Sequence, residues 1–377
     1  MNAEHTKARP LRVLAVVTTR YAKNGITGVV KNLAAGIRPG EAVVDYALIN
    51  EIEEDERAAI EGKGGRVFVF PYRNRRPLAY LFALSRLVRK NRYDIVHAHG
   101  NSSTLAAEML AAYLGGARAR FAHAHNTACT HERLHALLAP LFLRCTTHAL
   151  ACGEEAGRFL FGTRPFTVLK NGVDAARFAF DTSARSAARA ELGLSGKLAF
   201  GSVASLTTRK NHAFLLETFK YIYQREPSAA LLLAGTGPLE EPLRALAREL
   251  GIADGVRFLG DITDVSALYL ALDALLMPSL CEGLPLVLVE AQCAALPCLA
   301  SDGVPREADL TGLVSFLPLS AGASAWAENA LRLPTPDEAR ALRAPDALAA
   351  VRAAGYDRKS AASELLALYR AAVEEGA

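Results

Sequence analysis

The stretch Glu282-Gly-Leu-Pro-Leu-Val-Leu-Val-Glu290 follows the apolar run Ala274–Pro278, and the reading of the chain turns on it. An apolar run of strand length, a Gly-Leu-Pro turn and a second apolar run ending in glutamate describe strand, turn and helix, with the helix starting near Pro285. Proline suits the first helical turn, where its missing N–H would go unpaired anyway. The free amides and the dipole at such an end favour an anion. Two carboxylates eight residues apart flank them, Glu282 on the loop and Glu290 within the helix. A phosphate on the amides and hydroxyl groups on the acids would describe a nucleotide sugar.

The same alternation runs through the chain and predicts parallel sheets with crossover helices. Strands are expected at 12–18, 43–49, 66–70, 94–98, 120–125, 148–152 and 167–169, then at 198–204, 229–234, 257–259, 274–277 and 298–300. A loop containing Gly25 leads into a helix reaching about Ile37, and another helix spans about 213–225. A length of 377 residues fits two domains. The turn-rich segment from Asn171 to about Leu194 holds the boundary. The expected division is an N-terminal Rossmann-like domain at 1–174, a C-terminal one at 175–355, and a last helix at 356–377 able to pack back on the N-domain. That helix carries Leu365, Leu366, Leu368 and Tyr369 on or near one face. Residues 321–354 are alanine-rich and read as helix on propensity alone.

Composition narrows the classes. No apolar run approaches the eighteen or more residues a membrane span needs. Met-Asn-Ala-Glu-His-Thr-Lys at the start lacks the apolar core of a signal peptide. The six cysteines show no paired C-x-x-C spacing, so reduced thiols in a cytoplasmic protein are expected. Charge divides unevenly: residues 1–174 carry 24 Lys and Arg against 15 Asp and Glu, a net +9, and residues 175–377 carry 19 against 24, a net −5. The basic half includes Arg73-Asn-Arg-Arg76, Arg86 to Arg92, and the apolar stretch Arg133 to Arg144 with basic ends. Such stretches either hold a protein on an anionic membrane surface or are solvated helix faces over ordinary core. No aromatic-interleaved basic motif points to nucleic acid.

Several residues could carry chemistry, each beside a plainer explanation. Gly25 at a strand-to-helix turn allows close approach of a ligand, or simply makes the turn. Gly235-Thr-Gly237 is an incomplete dinucleotide fingerprint, because position 240 is Glu. His123 and His125 end a strand, where open α/β sheets line their ligand crevice. As a metal pair they have no third ligand at characteristic spacing. For His97 and His99 a structural role is favoured. Arg209 and Lys210 follow a strand and precede a helix, a place where two cations can neutralise a diphosphate. Ser301, Asp302 and Glu307 either border a pocket or form a polar loop. No cysteine sits beside a local base as a nucleophile would.

In order along nearly the whole chain stand the Gly25 loop, Asp94-Ile-Val-His-Ala-His, Ala124-His-Asn-Thr, Lys170-Asn-Gly-Val-Asp, Arg209-Lys-Asn-His, Ala234-Gly-Thr-Gly-Pro and Pro278-Ser-Leu-Cys-Glu-Gly-Leu-Pro-Leu-Val-Leu-Val-Glu-Ala. This set resembles a retaining, nucleotide-sugar-dependent glycosyltransferase of family 4. Thr311-Gly-Leu-Val-Ser-Phe-Leu resembles a branch used in bacterial capsule and exopolysaccharide assembly. The resemblance implies an α/β protein of GT-B fold, two Rossmann-like domains with parallel sheets facing across a central cleft. The N-domain would take the acceptor and the C-domain the donor. It implies Lys210 on the donor diphosphate, the backbone amides of the run Gly283, Leu284, Pro285 and Leu286 at phosphate or sugar oxygens, and Glu290 on the ribose hydroxyls. Glu282 and His125 are the catalytic candidates, both at the donor sugar, and Gly25 lets its loop close over the diphosphate. The leaving phosphate would take the acceptor's proton, so neither an enzymic nucleophile nor a metal is implied. The donor is expected to be a UDP-sugar and the acceptor a saccharide, in particular a polyprenyl-linked one. The protein would then work in the cytoplasm, peripherally at the inner face of the cell membrane.

Two departures stand out. The family commonly has Gly-Arg upstream of the lysine loop, whereas this chain has Ala204-Ser205, and Asn24-Gly25 replaces a usual Gly-Gly. Loss of a cation on a diphosphate removes roughly 2–4 kcal/mol of transition-state stabilisation. Arg209 is the nearest substitute in sequence. Ser205 also motivates a catalytically impaired binding or scaffold protein as an alternative, and a nucleotide-sugar epimerase of the same fold is a second.

Overall fold

In a computed structural model of the protein, the residues described are 9–21, 25–126, 129, 131–262 and 264–375. Asn24, Thr127 of the His125 motif and the Met1–Lys7 segment lie outside them. The first sheet contains β1 (Leu11–Val17), β2 (Ala42–Leu48), β3 (Val67–Val69), β4 (Ile95–Gly100), β5 (Ala119–Ala124), β6 (His148–Ala151) and β7 (Thr167–Val168). The second contains β8 (Ala199–Val203), β9 (Ala230–Ala234), β10 (Val256–Gly260), β11 (Ala274–Met277), β12 (Cys298–Ala300) and β13 (Val314–Phe316). Strand orders are β3-β2-β1-β4-β5-β6-β7 and β10-β9-β8-β11-β12-β13, with every pairing parallel. Two Rossmann-like parallel sheets with crossover helices make this the GT-B fold, as the alternating pattern predicts. Only β13 goes unanticipated; its three residues sit among turn formers and carry too short a signal.

Both sheets reverse their strand order between two central strands, at β1/β4 in the first and at β8/β11 in the second. Loops at the carboxyl ends of strands diverge at such a switch point and leave a crevice. Buried central strands explain the apolar runs in the sequence: Ala-Leu-Leu-Leu-Ala of β9 and Ala-Leu-Leu-Met of β11 are buried at every position. Strand β4 is buried throughout too, although it carries His97 and His99.

The chain divides into one unit of Met1–Gly172 with Arg358–Ala377, and a second of Val173–Asp357. The segment read as turn-rich contains a helix, Thr182–Glu191, which belongs to the second unit. The last helix, Arg358–Glu375, lies against the helix Gly25–Gly36 of the first unit. Their approach is close: a Cβ on Gly36 would meet the Ala362 methyl at 2.5 Å. Leu365, Leu366 and Tyr369 are buried there, while Leu368 stays half-exposed at the margin of that face.

Candidate functional site

In the second unit, the loops that follow β8, β11 and β12 meet at the switch point. After β8 the chain makes one 3-10 turn, Thr208–Lys210, and is turned by Asn211 at φ 54° into the helix His212–Arg225. Asparagine is among the few non-glycine residues that tolerate this left-handed conformation. The turn delivers Lys210 to Glu282, Nζ to Oε1 at 2.6 Å, with 14% and 7% of the side chains exposed. Such a pair is largely desolvated, so each partner depends on the other. Backbone bonds hold the two loops together: Leu280 N–H donates to Arg209 O at 2.8 Å, and Glu282 N–H to Gly303 O at 2.9 Å. The Arg209 side chain is exposed, as is Ser205.

Pro285 is the residue before the helix, not its first residue. It has an extended conformation, and the helix is Leu286–Cys293. No side chain caps this end. The amides of Gly283, Leu284, Leu286 and Val287 have no hydrogen-bond partner among the described residues, whereas Leu288 N–H is taken by Pro285 O. Donors without partners at a helix start suit an anion. Pro285, having no N–H, contributes none. Nothing lies within 4 Å of where a Gly283 Cβ would stand, so the backbone there is approachable. Gly235 differs: its φ is 131° and a Cβ would sit 2.1 Å from Ala204 O, so that glycine serves loop-to-loop contact within the protein.

Glu290, one turn along, accepts a hydrogen bond from the Tyr269 hydroxyl at 2.8 Å. Burial pushes its carboxyl up to about 7, opposed by that hydrogen bond and by the charge of Arg177. Tyr269 is held from behind. Arg340 donates to the carbonyls of Tyr269, Leu272 and Ala294 at 2.8, 2.7 and 2.9 Å, and Arg185 donates to those of Leu270 and Leu272 at 2.7 and 2.9 Å. The carbonyls of Tyr269, Leu270 and Leu272 end the helix Val265–Ala271, and that of Ala294 ends Leu286–Cys293; neither helix can satisfy them itself. His212 is buried, and burial followed by the charge of Lys210 brings its pKa down to about 4.

In the first unit, Gly25 begins the helix Gly25–Gly36 instead of lying in the loop before it, and no atom lies within 4 Å of where its Cβ would be. Strand β5 ends at Ala124, which leaves His125 as the first loop residue. Its Nε2 shares a 3.0 Å hydrogen bond with His99 Nδ1, and burial brings its pKa down to about 3. A cleft of about 840 Å³ opens by the loops after β1 and β4; Thr18, Arg73, Asn101, Ser102, Leu134 and Leu138 are among its lining residues. Arg73 is fixed there by Glu108 at 2.6 Å.

Residues 24–177 match the family described as Glycosyltransferase Family 4, and residues 184–312 match Glycosyl transferases group 1. A putative glycosyltransferase EpsF of Bacillus subtilis is 36% identical over 327 residues, 83% of this chain and 84% of its own length. This chain belongs to the GT-B glycosyltransferases. A UDP-Gal:alpha-D-GlcNAc-diphosphoundecaprenol alpha-1,3-galactosyltransferase of Escherichia coli is 27% identical over 237 residues, 59% of this chain and 61% of that protein. Among solved structures, Anabaena Alr3699/HepE in complex with UDP and glucose superposes with a TM-score of 0.78 at 18% identity, covering 96% of this chain and 100% of that one.

The structure thus pairs Lys210 with Glu282 and carries the Gly283–Leu286 backbone and Glu290 on the segment that follows, within one unit of this glycosyltransferase. Tyr269, Gly303 and Arg340, which belong to none of the sequence motifs, fix that region from behind. Of these only Gly303 left a trace in sequence, a glycine just past the end of a strand.

Proposed function

We propose that this glycosyltransferase retains anomeric configuration as it transfers a sugar from a UDP-sugar to a lipid-linked saccharide, in the assembly of a cell-surface polysaccharide. The observation that carries the reading is the meeting of a cation, a row of unpaired amides and two acids at the switch point of the Val173–Asp357 unit. Lys210 and the amides at 283, 284, 286 and 287 take the diphosphate; charge-assisted and dipolar donors aimed at a leaving group stabilise it as negative charge builds. Glu282 then exchanges part of its bond with Lys210 for hydroxyls of the donor sugar. Glu290, in carboxylate form, accepts from the two ribose hydroxyls. His125 and Gly25, carried by the other unit, act on the sugar and the diphosphate. No side chain is required as nucleophile, because the departing phosphate oxygen can take the acceptor's proton.

UDP is favoured because the Escherichia coli relative is named for UDP-Gal and the Anabaena structure holds UDP. The same relative acts on a diphosphoundecaprenol-linked sugar, and the first unit here has features such an acceptor would use. Beside the cleft, the helices Pro77–Asn91 and Glu132–Cys145 leave Leu78, Phe82 and Leu137 exposed to 72%, 67% and 74%. Exposed Arg75, Arg76, Arg86, Arg133 and Arg144 lie on the same helices or just before them. Apolar side chains with basic neighbours suit an anionic bilayer, each Lys or Arg near the surface adding about 1 kcal/mol. Among the described residues no helix is long and apolar enough to cross a membrane.

The test is turnover of UDP-, GDP- and ADP-sugars by purified protein with an undecaprenyl-diphosphate-linked saccharide, the product anomer being read by NMR. Transfer from a UDP-sugar with retention is expected. Inversion removes the retaining mechanism, preference for another base removes UDP, and conversion of the donor with no acceptor present identifies an epimerase. Nucleotide binding without turnover identifies a scaffold, for which the serine at position 205 would be the reason.

A further inference from the structure

His97 and His99 stand two residues apart on β4 and so face the same side of the sheet. The parallel register sets His123 of β5 opposite His99. Ring centroids are 4.1 Å apart for His97 and His99, 5.3 Å for His97 and His123, and 5.4 Å for His99 and His123. All three side chains are buried, and one ring nitrogen from each falls within 4.8 Å of the others. Two nitrogens have partners: His97 Nδ1 meets the Tyr369 hydroxyl at 2.6 Å, and His99 Nδ1 meets His125 Nε2 at 3.0 Å. His97 Nε2 and both ring nitrogens of His123 are buried with no partner among the described residues. An unpaired buried polar atom forfeits its hydration with nothing in return, so a native core normally supplies something to bind it. Next to the rings of His97 and His99, though not that of His123, is a cavity of about 20 Å³ bordered also by Ala15, Val30, Leu365 and Tyr369, room for one small species.

We propose that His97, His99 and His123 form a metal site for a divalent transition ion, with zinc the best fit. Three imidazoles with no carboxylate in the set suit zinc, copper or nickel and exclude the oxygen-seeking calcium and magnesium. The outer hydrogen bonds are those a metal-bound histidine uses. With Nδ1–H of His97 donating to Tyr369, and Nδ1–H of His99 donating to His125, each Nε2 presents a bare lone pair. Zinc–nitrogen bonds of about 2.0–2.1 Å set tetrahedral donors roughly 3.3 Å apart, so the rings, which stand 14° to 40° from parallel, would have to turn about their side-chain torsions for the three lone pairs to converge on the ion. A water in the small cavity would complete the coordination. The ion would join β4 to β5 and, through Tyr369, anchor the Arg358–Glu375 helix. Its role is to stabilise the first unit and, through the bond of His99 to His125, to hold His125 in place. The spacing along the sequence conceals it, because the ligands come from two strands and converge only through their register.

Tag-free protein, dialysed against metal-free buffer, would be assayed for metal by mass spectrometry and titrated with Zn²⁺ and Co²⁺. About one retained or bindable ion per chain, tetrahedral Co²⁺ d–d bands and a melting temperature raised by Zn²⁺ are expected. His97→Ala and His123→Ala should abolish the bands. His148→Ala should keep them, since that ring stacks on Phe121 outside the cluster. Folded wild-type protein that holds no ion and gives no Co²⁺ bands overturns the proposal, as do bands that persist in the His97→Ala/His123→Ala double variant. The wild-type spectrum decides the matter by itself should a variant fail to fold.

Discussion

Replacing Glu290 by glutamine should weaken nucleotide binding and at the same time stabilise the protein above pH 7. The carboxyl titrates near 7 in the fold against an ordinary 4.5, because burial disfavours its charge. Since the folded pKa lies above the unfolded one, the penalty is absent below 4.5 and grows as pH rises towards 7, where it levels off. That gap, at 1.36 kcal/mol per pH unit, sets an upper value of roughly 3 kcal/mol. Glu290→Gln, which keeps an acceptor for the Tyr269 hydroxyl, should therefore match wild type at pH 4 and exceed it by up to that amount at pH 8. Binding should follow the opposite course. Two ribose hydroxyls donate to a carboxylate, so only the ionised form binds fully. About a tenth of the sites are ionised at pH 6, so the Kd for UDP should rise about tenfold from pH 8 to pH 6. Calorimetry in two buffers of different ionisation enthalpy would show a proton released on binding near pH 6.5. A wild-type Kd that is flat from pH 5.5 to 8.5, or Glu290→Gln protein that binds UDP as wild type does, refutes the assignment of Glu290 to the ribose.

Three further outcomes are expected. Glu282→Ala should lower transfer by about 10²–10³-fold and, by stranding the charge of Lys210, cost about 3 kcal/mol of stability; the double variant Lys210→Met/Glu282→Leu should regain most of the stability in thermal melts and none of the rate. Arg340→Ala removes the donors to four carbonyls and the packing on Phe180, so the urea midpoint should fall by the equivalent of about 3–5 kcal/mol with an unchanged slope; a loss under about 1 kcal/mol would rule out the capping role. Phe82→Asp with Leu137→Asp should abolish co-sedimentation with anionic liposomes while leaving UDP affinity unchanged, and sedimentation that neither these changes nor salt affects would count against the membrane-facing surface.

The sequence alone is enough to specify the architecture, because the apolar runs of β9 and β11 are strands buried on both faces and the glycine- and proline-marked turns separate them from their helices. It also yields the chemical character of the switch-point loops: Lys210 and Glu282 are polar residues that follow strands, and Glu290 lies in the helix after them, where packing does not call for them. Local pattern is less sharp about boundaries. Pro285 reads as opening the first helical turn, whereas its extended backbone puts it just outside the helix. Gly235 reads as part of an incomplete dinucleotide fingerprint, whereas the close approach of the Ala204 carbonyl in a neighbouring loop is what requires a glycine there.

Tertiary structure alone decided which groups meet. The ion pair of Lys210 with Glu282 joins residues 72 apart, and the Tyr269 hydroxyl reaches Glu290 across 21. The raised pKa of that carboxyl is a property of its surroundings, which the glutamate does not encode. The histidines divide in the same way. His123 and His125 were legible as strand-end residues, but the gathering of His97, His99 and His123 beside Tyr369 depends on the register of β4 with β5 and on a helix some 270 residues away in sequence. Hydrophobic period and turn chemistry act over a few residues and so can be read along the chain, whereas desolvation and convergence of side chains act through space and exist only once the sheets have formed.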